Sequence, residues 1–158
     1  MSLINIILLL LYIKIMARRY LQGKFTPKNP HKYAGDPSNI VFRSSWELKA
    51  FKMLDEEPGV LKWASEEFNI PYIGIDGKPH RYFIDLIMIT KGGKYIIEIK
   101  PSSQTKKPNK GKGRKKESTF INECITYETN QRKWKAAEKW AAENGMSFLI
   151  WTEKDLNI

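Results

Sequence analysis

Polar and apolar positions divide the chain into several periodic segments and two stretches with no period at all. Arg43-Ser44-Ser45-Trp46-Glu47-Leu48 opens a helix on a serine cap, and the helix is predicted to run to Leu54 or Glu56, before Pro58-Gly59 breaks it. Strand-like runs follow at 60–63 and 67–72. Two β-branched apolar runs, 82–89 and 95–100, are separated by Lys91-Gly92-Gly93-Lys94, which predicts a hairpin. A long helix is expected over about 122–144, because Trp134, Ala137, Trp140 and Ala141 recur at helical spacing and Gly145 suits the C′ position. Residues 147–151 read as a short buried strand, with a final turn from Thr152. Together these elements predict a single α/β domain with one core and a mixed central β-sheet flanked by helices.

Three ionisable residues break the pattern. Asp85, Glu98 and Lys100 sit inside the two apolar runs, where an unpaired charge costs several kcal/mol, on the order of what a whole fold can spare. They must therefore be paired, bound to a metal or open to a cleft. Read as a two-residue primed turn with Gly92 and Gly93 at its centre, the connection pairs Lys91 with Lys94 and sets Asp85 opposite Lys100. Side chains alternate with period two, so Glu98 shares that face one diagonal step away. A divalent ion fits between Asp85 and Glu98, with Lys100 beside it.

The stretches without period differ from each other. Residues 1–15 are an apolar leader, too short for an ordinary membrane span and lacking both a preceding basic stretch and a small-residue cleavage site. They read as an upstream extension of a frame that starts at Met16, with a peripheral anchor or a packed helix as alternatives; no stable membrane insertion is expected. Residues 16–42, rich in Pro, Gly, Asn and Lys, read as an extended basic arm that lies along a phosphate backbone or covers the domain edge. The domain proper spans 43–158 and includes a basic loop at 102–118. Within that loop Lys106, Lys107, Lys110, Lys112, Arg114, Lys115 and Lys116 form a cationic run.

Composition narrows the partners. The chain holds 27 Lys+Arg against 17 Asp+Glu, a net charge of +10, which favours a polyanion such as nucleic acid. A start at Met16 would remove only Lys14 and leave +9, so this inference does not depend on the leader. Cys124 is the single cysteine, which excludes an internal disulfide and any zinc site built on cysteines.

Tyr82-Phe83-Ile84-Asp85, then Glu98-Ile99-Lys100, with an acid on a preceding helix, resembles the PD-(D/E)xK nuclease superfamily, with isoleucine in place of the motif's proline. Arg43-Ser44-Ser45-Trp46-Glu47, Ser65-Glu66-Glu67-Phe68-Asn69-Ile70-Pro71-Tyr72, Glu98-Ile99-Lys100-Pro101 and Lys133-Trp134-Lys135-Ala136-Ala137 follow the order of TnsA-like endonucleases. Arg19-Tyr20-Leu21-Gln22-Gly23-Lys24-Phe25-Thr26-Pro27-Lys28-Asn29-Pro30 is similar to the opening of the phage head completion branch. The resemblance implies a restriction-endonuclease-like core and a DNA endonuclease that acts on packaged ends before tail joining. It also implies capsid or neck proteins as partners and a location in the virion or host cytoplasm. Transposon-end cleavage and a non-catalytic DNA-binding virion protein are the alternatives, the former weakened by the short stretch after Trp151.

The resemblance also gives residues roles. Asp85, Glu98 and the Ile99 main-chain carbonyl would hold Mg²⁺, or Mn²⁺ in its place, and Lys100 would orient or deprotonate the attacking water. Glu47 would be the helix acid at the metal, although Ser44-Ser45-Trp46-Glu47 is equally a capping box in which Glu47 bonds back to the Ser44 amide. Gln131 is the polar helix residue expected to face the site, or else an exposed helix glutamine. Arg43 and Arg81 meet phosphates or form surface salt bridges. Glu66 and Glu67 face solvent or cap a strand, and His31 and His80 lie too far apart in sequence for a histidine metal site. The rival for Asp85, Glu98 and Lys100 is a buried structural ion-pair cluster.

Overall fold

The computed structural model describes residues 22–111, 113 and 115–158. The leader, the proposed start at Met16, Lys112 and Arg114 lie outside the described residues. In chain order the elements are β1 (Gly23–Phe25), a 3₁₀ turn (Pro30–Lys32), β2 (Ile40–Phe42), α1 (Ser45–Glu56), β3 (Val60–Ser65), β4 (Asn69–Ile73) and β5 (Pro79–Phe83). There follow β6 (Leu86–Thr90), β7 (Gly93–Ile99), a second 3₁₀ turn (Ser102–Thr105), α2 (Glu117–Glu143) and β8 (Ser147–Trp151). The central sheet has the order β3-β6-β7-β8; its first three strands are antiparallel and β8 runs parallel to β7, so the sheet is mixed as expected. Strands β1-β2 and β4-β5 form two separate ribbons.

Alternation along β7 divides the interior into two layers rather than one core. Ile97 and Ile99 pack with Phe51, Leu54, Trp63 and Leu86 under α1, whereas Ile96 packs with Tyr82, Ile84, Trp134, Ala137 and Ala141 under α2. Glu98 and Lys100 have the parity of Ile96 and therefore belong to the α2 side. The parallel strands β7 and β8 are joined by α2, so the helix runs back against them, and its first turns face the second 3₁₀ turn. At its far end Gly145 takes φ 65°, while the amides of Met146 and Gly145 donate to Ala141 and Ala142, a Schellman stop.

Several expectations are corrected. The run at 82–89 is not one strand: β5 ends at Phe83 and pairs with β4, the chain bends at Ile84-Asp85, and β6 joins the main sheet. The hairpin turn is centred on Lys91-Gly92, with Thr90 opposite Gly93 and Leu86 opposite Ile97. Neither Gly92 nor Gly93 has positive φ; instead the Thr90 hydroxyl accepts from the Gly92 amide at 3.1 Å and closes the turn. α2 begins at Glu117, about five residues earlier than the spacing suggested, and β8 is only half-buried.

The segment read as an extended arm is packed from Gly23 onward. Phe25, Tyr33, Ile40 and Phe42 are all buried in the α1 layer, and Phe25 and Tyr33 meet Trp63 edge-on at 6.0 and 4.7 Å between ring centroids. Asp55 at the end of α1 holds the segment in place: its carboxylate accepts from the amides of Lys28, at 2.7 Å, and Asn29, at 3.2 Å. Four scattered apolar residues show no period, so their burial was not readable as an element.

Candidate active site

The bend at Ile84-Asp85 and the end of β7 bring the motif together. Continued one step beyond Leu86 opposite Ile97, the observed register sets Asp85 level with Glu98, not with Lys100. The shift is two residues, and an even shift keeps every side chain on its face. Asp85 Oδ2 accepts from the Ile99 amide at 2.8 Å. Glu98 is almost fully buried; its Oε2 accepts from the Tyr82 hydroxyl at 2.6 Å, and its Oε1 pairs with Lys100 Nζ at 3.0 Å. Asp85, Glu98 and Lys100 therefore form one constellation.

Its electrostatics follow from burial and crowding. Asp85 is pushed well above the usual carboxylate range, first by burial and then by the neighbouring Glu98, against the pull of the Ile99 amide and Lys100. Burial draws the Lys100 ammonium down, but the charge and hydrogen bond of Glu98, with Asp85 behind it, outweigh burial and leave it raised. Lys100 is thus a fixed positive charge at neutral pH. Burial and Glu98 also raise the Tyr82 hydroxyl, which keeps its proton and donates it.

These groups suit a hard divalent cation. Glu98 is met by the Tyr82 hydroxyl and Lys100, and Asp85 by the Ile99 amide, so acceptor capacity remains on two crowded carboxylates that a cation would relieve. In an extended strand the N–H and C=O of a residue leave on the same side, so the Ile99 carbonyl faces Asp85 as its amide does. Among the described residues no three His, Cys, Asp or Glu side chains converge as a metal site. The available donor set is accordingly Asp85, Glu98 and the Ile99 carbonyl.

Glu47 is not brought into that set. Ser44 caps α1 by accepting from the Glu47 amide at 3.1 Å, and the Glu47 carboxylate reaches back to the Arg43 amide at 2.7 Å rather than to that of Ser44. Arg43 in turn forms an ion pair with Glu66. Glu66 holds a left-handed backbone, φ 51°, at a cost of about 1–2 kcal/mol for a residue with a Cβ, and its amide donates to the Asp85 carbonyl. Glu66 therefore buttresses the bend that carries Asp85.

Other expected positions scatter. Arg81 is exposed on β5, in the ribbon outside the main sheet. Gln131 is half-buried, but the buried polar residue on that face of α2 is Asn130, whose Nδ2 has no partner among the described residues. Lys110 pairs with Glu117, and Lys115 with Glu123 at 2.7 Å; Lys106, Lys107 and Lys116 have no carboxylate partner among the described residues. His80 pairs with Asp76 in the β4-β5 turn, away from His31. Glu67 accepts from the Tyr33 hydroxyl at 3.3 Å. Sequence reasoning missed Tyr82 as the partner of Glu98, although a tyrosine three residues before Asp85 was in view.

Residues 57–153 match the TnsA-like endonuclease N-terminal domain, a span that contains Asp85, Glu98 and Lys100 and leaves Glu47 outside. The chain is also 42% identical over 138 residues to the head completion nuclease of Enterobacteria phage T4, covering 85% of this chain and 92% of the phage protein. The chain belongs to the TnsA-like endonuclease family. The restriction-endonuclease-like α/β fold expected from the motif order accords with that membership. A TnsA-like nuclease so arranged keeps its two acids and its lysine at the sheet end where β7 passes into the second 3₁₀ turn. No helix among the described residues is long and apolar enough to cross a membrane.

Proposed function

We propose that this nuclease is a Mg²⁺-dependent DNA endonuclease, with Mn²⁺ able to substitute, that cuts phosphodiester bonds at packaged DNA ends during phage head completion. The observation that carries the reading is the Asp85, Glu98 and Lys100 constellation inside the matched span. Likeness over most of both chains to the phage T4 protein favours head completion over transposon-end cleavage. In this reading capsid or neck proteins are partners, and the site of action is the virion or host cytoplasm.

Asp85, Glu98 and the Ile99 carbonyl would hold the divalent ion, which would supply Lewis-acid chemistry at the phosphate. The chain's own residues do the rest. Lys100 acts as a permanent charge against the oxyanion that builds on the phosphate, while Tyr82 holds Glu98 in position. Lys106, Lys107 and Lys116, with Arg81, neutralise flanking phosphates, and Lys112 and Arg114 extend the same cationic run in the sequence.

The test is cleavage of linear and supercoiled DNA in Mg²⁺ and in EDTA. Wild-type protein cuts only with the divalent ion, and Lys100→Ala loses on the order of 10²–10³-fold in rate. Cleavage that persists at wild-type rate in both Asp85→Ala and Lys100→Ala would overturn the mechanism. Binding without cleavage under every condition would favour a structural DNA-binding protein.

A further inference from the structure

A second feature lies just past the site. The turn Ser102–Thr105 leaves β7 directly after Lys100 and faces the first turns of α2, and between them is a cavity of about 600 Å³. Ser103, on its wall, is three residues from Lys100, so the two Cα atoms are at most about 11 Å apart. The wall is anchored: the Ser102 amide donates to Glu153 at 2.8 Å, the Ser102 hydroxyl bonds the same carboxylate, and Thr105 Oγ1 donates to the Ser102 carbonyl at 2.8 Å. The turn is thus tied to Glu153 at its start and closed on itself at its end, which favours a preorganised shape.

The lining has a definite chemistry. Gln104, Asn109 and Asn122 offer amide donors and acceptors, Tyr127 offers a ring face, and Lys106 and Lys107 bring positive charge. Lys115 also faces the cavity, but Glu123 neutralises it, so Lys106 and Lys107 are the lining cations without a carboxylate partner among the described residues. A mononucleotide needs this combination: cations for the phosphate, an aromatic face for the base, and amides for its edge. The volume falls in the range of small-ligand sites, large enough for one nucleotide and far too small for a duplex.

We propose that this cavity binds one unpaired nucleotide of the strand being cut, with its phosphate on Lys106 and Lys107 and its base against Tyr127. That the nucleotide belongs to the cut strand rests on the nuclease reading; that the cavity takes a nucleotide does not. Unpairing costs least at a strand end or a gap, so the pocket selects ends over intact duplex.

The test uses full-length protein in EDTA with a short single strand carrying 2-aminopurine, and a blunt duplex carrying it internally. Wild-type protein and Asp85→Asn quench the single strand and leave the duplex unquenched. Tyr127→Leu weakens single-strand binding about tenfold, within the range for losing one base–aromatic stack. Lys106→Glu/Lys107→Glu, at two exposed positions, reverses the charge that holds the phosphate, abolishes the quenching and covers the case in which Tyr127→Leu fails to fold. Equal binding of strand and duplex, equal competition by inorganic polyphosphate, or quenching that survives Lys106→Glu/Lys107→Glu each overturns the pocket. Quenching without any Mg²⁺-dependent cleavage would instead sink the nuclease reading and leave the pocket standing.

Discussion

Asp55 and Glu98 are both almost wholly buried, at 1% and 3% exposure, yet their oxygens have opposite kinds of partner. Asp55 accepts from two main-chain amides, those of Lys28 and Asn29. Its charge is spread over fixed dipoles, and its work is to hold the residue 22–42 segment against the end of α1. Glu98 lies against a second carboxylate, that of Asp85, and is met by a tyrosine hydroxyl and a lysine. Burial of the first kind adds stability; burial of the second kind costs stability and leaves acceptor sites for a ligand. The contrast separates an acid that holds the fold from one that the proposed mechanism uses, without reference to a motif.

The largest effect should come from the chemical side. Asp85→Asn lowers Mg²⁺-dependent cleavage on the order of 10²–10³-fold, measured on plasmid DNA, yet melts above wild type in EDTA at neutral pH. The sign follows from Asp85's raised pKa: the native state holds that proton more tightly than the unfolded chain, so metal-free stability falls as the pH rises from 3.8 through the native value. The Asn variant lacks that fall. A variant that lost activity and also melted lower would place Asp85 with Asp55.

Asp55→Ala should do the reverse. Removing the acceptor of two half-buried amides costs about 2 kcal/mol, read from urea midpoints, with cleavage per folded molecule unchanged. A smaller loss is expected at α1, where Ser44→Ala removes the cap on the Glu47 amide and costs about 1 kcal/mol. The smallest effect concerns an exposed acid. Hydrogen bonds from the Ser102 hydroxyl and amide hold Glu153 below its ordinary 4.5, so their contribution is present above that pH and is lost as the pH falls through the lower native value. Glu153→Gln should flatten that acid limb in a pH series of melting temperatures.

Much of the frame was legible. Ser44 as cap, the end of α1, Gly145 as helix stop and the β6-β7 hairpin all follow from local chemistry, and all are present. What was misread depended on partners far along the chain. Thr90, not a glycine pair at positive φ, closes the hairpin turn, so the register differs by two residues. The Glu47 carboxylate accepts from the Arg43 amide rather than from that of Ser44, because Arg43 is itself held by Glu66 from the end of β3. The arm packs because Asp55, 26 residues from Asn29, offers acceptors its amides can reach.

By itself the sequence determined which residues share a face. A period of two puts Glu98 and Lys100 on one side of β7, and any even register keeps Asp85 with them. That much survives an error in the turn, since alternation is a property of the backbone alone. Only the tertiary structure decided that Asp85 stands level with Glu98, that Tyr82 from another ribbon holds Glu98, and that a cavity opens between the second 3₁₀ turn and α2. Those facts depend on contacts between segments whose meeting is set by packing, which no local pattern encodes.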